Sequence, residues 1–389
     1  MSARLLILVG GILASGMGRA GPLSMDPSVG VATEYASNPY LVTLGGRAVQ
    51  DVAVIMNAPT RYDLDSAHFA LTPSVRYSSS GSYASLNSNY LHLDGSAVFA
   101  SDMNLLTITG GFGRDSSLQQ SGLSSNGLGV RSDGSSAGLD WRRTLTERFS
   151  MALDASWNRV LYNQGAELTG LLDYRYVSLG STATYSVDER DKFKMLAGAG
   201  EYTALDGVTK SKNYNLQIGF DRQVSELWTA SITAGYARSD NTEYLFFGPF
   251  LLATVESEQK GPVYNASLVR AGEQLKLTLS ASRTFRPSGF EFLSRQDTAE
   301  VDLGYTHSER WKFGVKADYQ NTDTPLASGL STGVRYFSGQ LSADWNWTPT
   351  WIISLRGNWV SVKYELPPEA AQSTGVSLEI SRQFLRIEL

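Results

Sequence analysis

The run Ser308-Glu309-Arg310-Trp311-Lys312-Phe313-Gly314-Val315-Lys316-Ala317-Asp318-Tyr319 joins a short charged turn to a strict alternation of apolar and polar residues. Successive side chains of a strand point to opposite faces, so Trp311, Phe313, Val315, Ala317 and Tyr319 share one face and Lys312, Gly314, Lys316 and Asp318 the other. The unit recurs. Thr146-Glu147-Arg148, Arg190-Asp191-Lys192, Ser225-Glu226-Leu227 and Thr348-Pro349-Thr350 each bring back an aromatic residue, respectively Phe149, Phe193, Trp228 and Trp351. After each turn the alternation continues for about ten positions, long enough for a tilted strand to cross a bilayer. Trp and Phe rings settle where headgroups meet hydrocarbon, so Phe149, Phe193, Trp228, Trp311 and Trp351 are predicted to form one interfacial girdle.

The pattern predicts an all-β fold, a single transmembrane antiparallel up-and-down β-barrel of about 18 strands, with 16 as the alternative count. Expected spans are 29–37, 51–60, 66–78, 89–101, 104–114, 135–145, 148–162, 171–188, 191–204, 212–225, 227–240, 261–270, 273–286, 295–307, 311–323, 332–347, 351–365 and 373–386. A soluble sandwich would alternate in the same way. Long strands, tight turns that alternate with longer polar loops, and aromatics at both ends of the apolar band favour the barrel. The tight turns belong to the periplasmic side. Three-residue loops are expected at most of them, and a two-residue turn at Arg270-Ala271-Gly272-Glu273. Pairing His307 with Trp311 sets Asp302 opposite Lys316 and predicts an ion pair there.

The only long apolar run is N-terminal. Arg4, the stretch Leu5 to Ala14 and Gly18-Arg19-Ala20 read as the three parts of a secretory signal peptide, residues 1–20. A short periplasmic segment, 21–28, then leads into the barrel, 29–389. Removing residues 1–20 takes away Arg4 and Arg19 and no acid, which leaves 31 bases against 38 acids, or −7. That mild acidity argues against a nucleic-acid partner. With 0 Cys, disulfides and Cys-ligated metals are excluded. A mean hydropathy of −0.18 is compatible with a barrel, whose apolar half is hidden in a period of two.

The polar face should line a lumen. It carries Arg76, His92, Asp94, Asp140, Arg142, Asp154, Asp221, Lys276, Glu300, Asp302, Lys312, Lys316, Asp318, Asp344 and Arg356, with acids in slight excess. No basic stripe marks the wall as a polyanion path. His68 and His92 point inward by the same parity and His307 sits at a turn, yet no catalytic constellation stands out. No metal or cofactor is expected either, because no two His lie at ligand spacing and the Asp63/Asp65 pair lacks the rest of a Ca²⁺ loop.

Two expected loops differ in character. Ser116 to Ser136 is almost wholly Ser, Gly, Asn and Gln. Tyr244 to Leu252, which holds Phe246, Phe247 and Phe250, is too apolar for a bare loop: it folds inward as a constriction, packs on the rim or a partner, or extends its flanking strands and carries these residues onto the lipid face.

The opening strand, Val29-Gly30-Val31-Ala32-Thr33-Glu34-Tyr35-Ala36-Ser37-Asn38-Pro39-Tyr40-Leu41, resembles that of the β-barrel porin-2 group, and the likeness extends loosely through the hairpins. The resemblance implies an outer-membrane barrel of a Gram-negative bacterium, often placed beside exopolysaccharide machinery. It implies outer-membrane lipid, the barrel insertion machinery and polysaccharide export components as partners. The expected activity is that of a passive channel and not of an enzyme, with a non-conducting structural barrel as the alternative. One departure is the chain end, Phe384-Leu385-Arg386-Ile387-Glu388-Leu389, where such barrels commonly finish on an aromatic residue.

Overall fold

The computed structural model describes residues 23–39, 41, 43–79, 89–116, 131–162, 171–247, 250–287, 293–325, 331–365 and 368–388. Residues 1–20, read above as a signal peptide, and most of the Ser/Gly-rich stretch lie outside them. Strands in chain order are β1 (Leu23–Met25), β2 (Ser28–Ala36), β3 (Val49–Asn57), β4 (Thr60–Asp63), β5 (Ala67–Ser79), β6 (Tyr90–Ala100) and β7 (Asn104–Ser116). There follow β8 (Arg131–Thr144), β9 (Phe149–Tyr162), β10 (Tyr174–Ser186), β11 (Asp191–Ala204), β12 (Thr209–Gln223), β13 (Trp228–Phe247) and β14 (Phe250–Ala271). The last are β15 (Leu275–Pro287), β16 (Leu293–Thr306), β17 (Trp311–Pro325), β18 (Ser331–Asn346), β19 (Trp351–Tyr364), β20 (Glu369–Gln383) and β21 (Ile387–Glu388).

All 21 strands belong to one antiparallel sheet, and apart from β1, β4 and β21 they form a closed 18-stranded ring. Closure comes from β2, which pairs with β3 on one side and with β20 on the other. A sheet in hydrocarbon must satisfy every backbone N–H and C=O internally, so the ring has to close. One face carries a band of exposed apolar residues around the ring. Val52, Tyr77, Leu179, Met195, Ile218, Leu341 and Val376 all lie on it.

The tight turns explain why the same residue types recur before the aromatics. In each, the side chain that opens the loop accepts a backbone N–H three residues on: Thr146 from Phe149 at 3.0 Å, Ser225 from Trp228 at 3.2 Å, Ser308 from Trp311 at 3.2 Å and Thr348 from Trp351 at 3.0 Å. Asp188 does the same for Asp191 at 2.7 Å and also accepts from Arg190. A hydroxyl or carboxylate at that place supplies the acceptor that the turning backbone lacks. These loops hold three residues, since Leu145, Val187 and His307 donate to the carbonyls of Phe149, Asp191 and Trp311.

The turn expected at Ala271-Gly272 sits two residues later. Ala271 donates to Leu227 and pairs with Lys276, so the ladder holds it and the corner falls on Glu273-Gln274. A shift of two preserves the faces. The loop expected over 241–260 is strand at 241–247 and 250–260. β13 and β14 pair from Trp228↔Arg270 to Phe247↔Phe250, whereas β12 follows β13 only to Glu243 and β15 meets β14 only from Tyr264. Phe246, Phe247 and Phe250 thus stand on extended backbone at the tip of a projecting hairpin.

β3 breaks at Ala58-Pro59, and its continuation β4 pairs with β5 and with β1, which in turn pairs with β21. A small patch under the short-turn end therefore joins Leu23–Met25 to Ile387–Glu388. Arg386 clamps it with two bonds to Asp26, at 2.9 and 3.0 Å.

Candidate functional site

Register fixes what the ring encloses. On β16, β17 and β18 the inward rows read Asp302–Lys316–Gln340, Glu300–Asp318–Ser338 and Thr298–Gln320–Tyr336. Asp302 lies opposite Lys316, but the ammonium turns diagonally to Glu300 at 3.2 Å, with Asp318 at 3.8 Å. A directly opposed pair is only one of several within reach of a four-carbon side chain, because diagonal neighbours on the same face are close enough to compete.

The other inward residues divide by partner. Arg76 is buried and bridges Glu34 at 2.7 Å and Asp51 at 3.9 Å. Arg356 reaches Glu379 at 3.0 Å, and Asp221 holds Lys194 and accepts from Ser231. Asp344 accepts from Ser354 and lies opposite Lys312. Asp140 and Asp154 face each other directly, while Asp94, Arg142 and Lys276 lie opposite Gly111, Ala152 and Gly304. His92 stacks on Tyr90 at 4.9 Å and bonds Asp115 at 2.7 Å, and His68 bonds Asp63 at 2.9 Å. Sequence reading passed over Glu34, Asp51, Asp115 and Lys194. For Lys194 the signal was present, since it shares the parity of Gly198 and Gly200 and sits one step from the row of Asp221.

Toward the long-loop end the polar wall closes in. Tyr174 and Tyr202, carried inward on β10 and β11, form a fully packed cluster with Ala204 and with Leu293 of β16. β10 and β16 are not neighbours in the ring, so Leu293 meets them across the lumen. Tyr176 lies beside this contact over Gly200, where an added Cβ would come within 2.5 Å of its hydroxyl oxygen. Below it opens a cavity of about 1170 Å³ bounded by both walls, with Asn158, Tyr176 and Ser178 on one side and Arg286, Gln296, Thr298, Gln320 and Tyr336 on the other. Hydroxyls and amides dominate its lining, and Lys316, which also lines it, is offset by Glu300 and Asp318.

Phe149, Phe193, Trp228, Trp311 and Trp351 open or nearly open their strands at one end of the ring, with the parity of the exposed apolar residues. Trp311 stacks on Trp345 at 5.7 Å, and Phe193 packs on Phe220 at 5.2 Å. An exposed apolar belt on a closed ring is stable only against hydrocarbon, and closed β-rings are how strands cross membranes. The chain is an outer-membrane β-barrel.

No family model matches this barrel, and no curated protein matches it in sequence. Solved structures similar to it include Pseudomonas aeruginosa OccK2 (OpdF), 11% identical over 93% of this chain and 98% of that one, with a TM-score of 0.47. The outer membrane protein opdK of Pseudomonas aeruginosa is 12% identical over 92% of this chain and 99% of that one, TM-score 0.46. For the copper transporter OprC the values are 12%, 91% and 65%, TM-score 0.48, so the barrel spans 65% of that protein's length. Likenesses of this degree say nothing about what the barrel carries.

Proposed function

We propose that the barrel is a passive channel for small hydrophilic solutes, which it selects by lumen width and wall chemistry. The observation that carries this reading is the cavity between β10 and β16, a polar passage narrowed by Leu293 against Tyr174 and Tyr202. Constrictions of this kind set both conductance and size cut-off. Neutral hydroxyls and amides with Tyr176 and Tyr336 as flat platforms suit uncharged polyhydroxylated solutes, and acids in excess on the inward face give any ion current a cation preference. Passage of a surface polysaccharide, implied by the porin-2 resemblance, extends the same reading, with export components as partners.

The test is conductance in a planar bilayer. Wild type should give discrete steps, Leu293→Ala should enlarge them, and neutral oligosaccharides should block both with a size limit that relaxes in the variant. A bilayer that stays closed for both proteins sinks the channel and promotes the structural barrel.

A further inference from the structure

On the outward face at the long-loop end, arginines come with carboxylates. Arg114, Arg238, Arg283, Arg295 and Arg335 donate to Asp133, Asp240, Asp297, Asp323 and Glu365, each at 2.9 Å or closer. Arg159 and Arg175 break the pattern. They lie directly opposite each other on β9 and β10, both exposed, with the parity of the lipid-facing Leu153 and Leu179. Among the described residues neither has a carboxylate at ion-pair distance. Asp173, two positions away, accepts the Tyr162 N–H, Asp133 is taken by Arg114, and Glu201, diagonal to Arg175 one row nearer the bilayer centre, lies directly opposite Lys212.

Like charges placed directly opposite on a sheet destabilise it, and their Cβ atoms stand about 5 Å apart. Elsewhere on this rim the directly opposed cations Arg238/Lys260 and Arg335/Lys363 have carboxylates beside them, Asp240 with Glu258 and Glu365 respectively; Arg159 and Arg175 have none at that distance, which calls for an anion between the two guanidiniums. Its height identifies the anion's carrier. One row closer to the bilayer centre the same face holds Trp157 opposite Val177, an amphipathic ring beside an apolar side chain, as at a membrane interface. The arginines stand about 7 Å further along the strands, at headgroup level. Ser135 and Thr203 flank them in the same row and add hydroxyl donors.

We propose that Arg159 and Arg175 form a binding site for a phosphate group borne by an outer-leaflet lipid. Each planar guanidinium can give a phosphate two parallel hydrogen bonds, and one phosphate between them removes their mutual repulsion. The site is separate from the lumen and does not depend on whether the barrel conducts.

The test measures lipid binding to the full barrel in neutral detergent by native mass spectrometry. The probes are a diphosphorylated disaccharide lipid, the same lipid stripped of its phosphates, and inorganic phosphate. Wild type should bind the phosphorylated lipid at least about tenfold more tightly than the double variant Arg159→Gln/Arg175→Gln does, because two charge-assisted contacts are lost. The stripped lipid should bind both proteins weakly and alike, and Arg283→Gln, at a paired arginine, should match wild type. The double Lys variant keeps charge but not the fork, so it should fall between, which covers a Gln variant that fails to fold. Equal affinity of wild type and a folded double variant for the phosphorylated lipid overturns the site, as does equal binding of the stripped lipid. Inorganic phosphate that displaces the lipid at comparable concentration would show a free-anion site instead and overturn the lipid assignment.

Discussion

Ile218→Arg should destabilise the barrel by about 2 to 4 kcal/mol, the cost of a cation at the bilayer midplane on the lipid face. The depth follows from β12 itself. Its outward residues run Lys212, Tyr214, Leu216, Ile218, Phe220, Arg222, so a charge closes the apolar stretch at each end. From Lys212 to Arg222 is ten steps, about 33 Å of strand, and a tilt of about 40° reduces that to about 25 Å along the membrane normal, the height of the apolar band of such barrels. The centre of that span is residue 217, so Leu216 and Ile218 straddle the midplane. Ile218 is 72% exposed on the isolated barrel and lies between Met195 and Ala234. Gln217, one residue away, points inward and bonds Thr233 and Asn215. Gln217→Arg should therefore cost below about 1 kcal/mol, since a lumenal cation stays wet, and Tyr214→Arg, near the rim, about 0 to 1. Reversible urea unfolding in lipid vesicles, followed by tryptophan fluorescence, measures all three. If Gln217→Arg costs as much as Ile218→Arg, the faces are inverted; if Tyr214→Arg does, the depth is wrong.

Removing a turn acceptor, as in Ser308→Ala or Thr146→Ala, should cost about 0.5 to 1.5 kcal/mol each in the same assay, while Glu309→Gln at the same turn should stay within about 0.5; equal losses would deny the hydroxyls their part. The N–H groups of Arg190 and Asp191 hold the Asp188 carboxyl below its ordinary range. A depressed folded pKa stabilises above the unfolded value, so the advantage of wild type over Asp188→Asn should be full above about pH 5 and shrink as pH falls through the folded pKa. An advantage that is constant from neutral to acid would refute it.

What sequence could reveal depended on whether period two and turn chemistry reported the same fact. From Thr348 to Tyr364 they did: the hydroxyl, the Pro corner and the alternation agree, and β19 ends one residue from its expected limit. They failed at the β13–β14 hairpin. Beyond Ala237 both faces turn polar, with Ser239, Asn241 and Glu243 backing Asp240 and Thr242, because that part has left the apolar belt. A strand that is polar on both sides carries no hydrophobic period to read, even where one side, with Ser239 and Asn241, is buried. The choice of Lys316 for Glu300 over Asp302 escaped for another reason, since register gives a row and only side-chain torsions pick the partner. Leu293 was the least legible of all. Its contact with Tyr174 and Tyr202 joins strands that are far apart in the ring, and nothing local to residues 287–293 signals it.

The chain end shows how a departure in sequence becomes intelligible once the strand and the chain are separated. Read as one strand, the tail to Leu389 closes on the wrong residue type. In the barrel the last transmembrane strand stops at Gln383, and the residue after it is Phe384, whose N–H bonds the Pro27 carbonyl. Arg382 covers the Phe384 ring at 5.2 Å and the Trp351 ring at 5.6 Å, which ties that aromatic to the row of aromatics at the short-turn end. Ile387 and Glu388 then pair with Met25 and Ser24, and Arg386 fixes Asp26. The strand that closes the ring is thus followed at once by an aromatic residue with the parity of the exposed Val376, Leu378 and Ile380. The residues after it do separate work: they cover one edge of the lead-in strand β1, whose other edge β4 already covers.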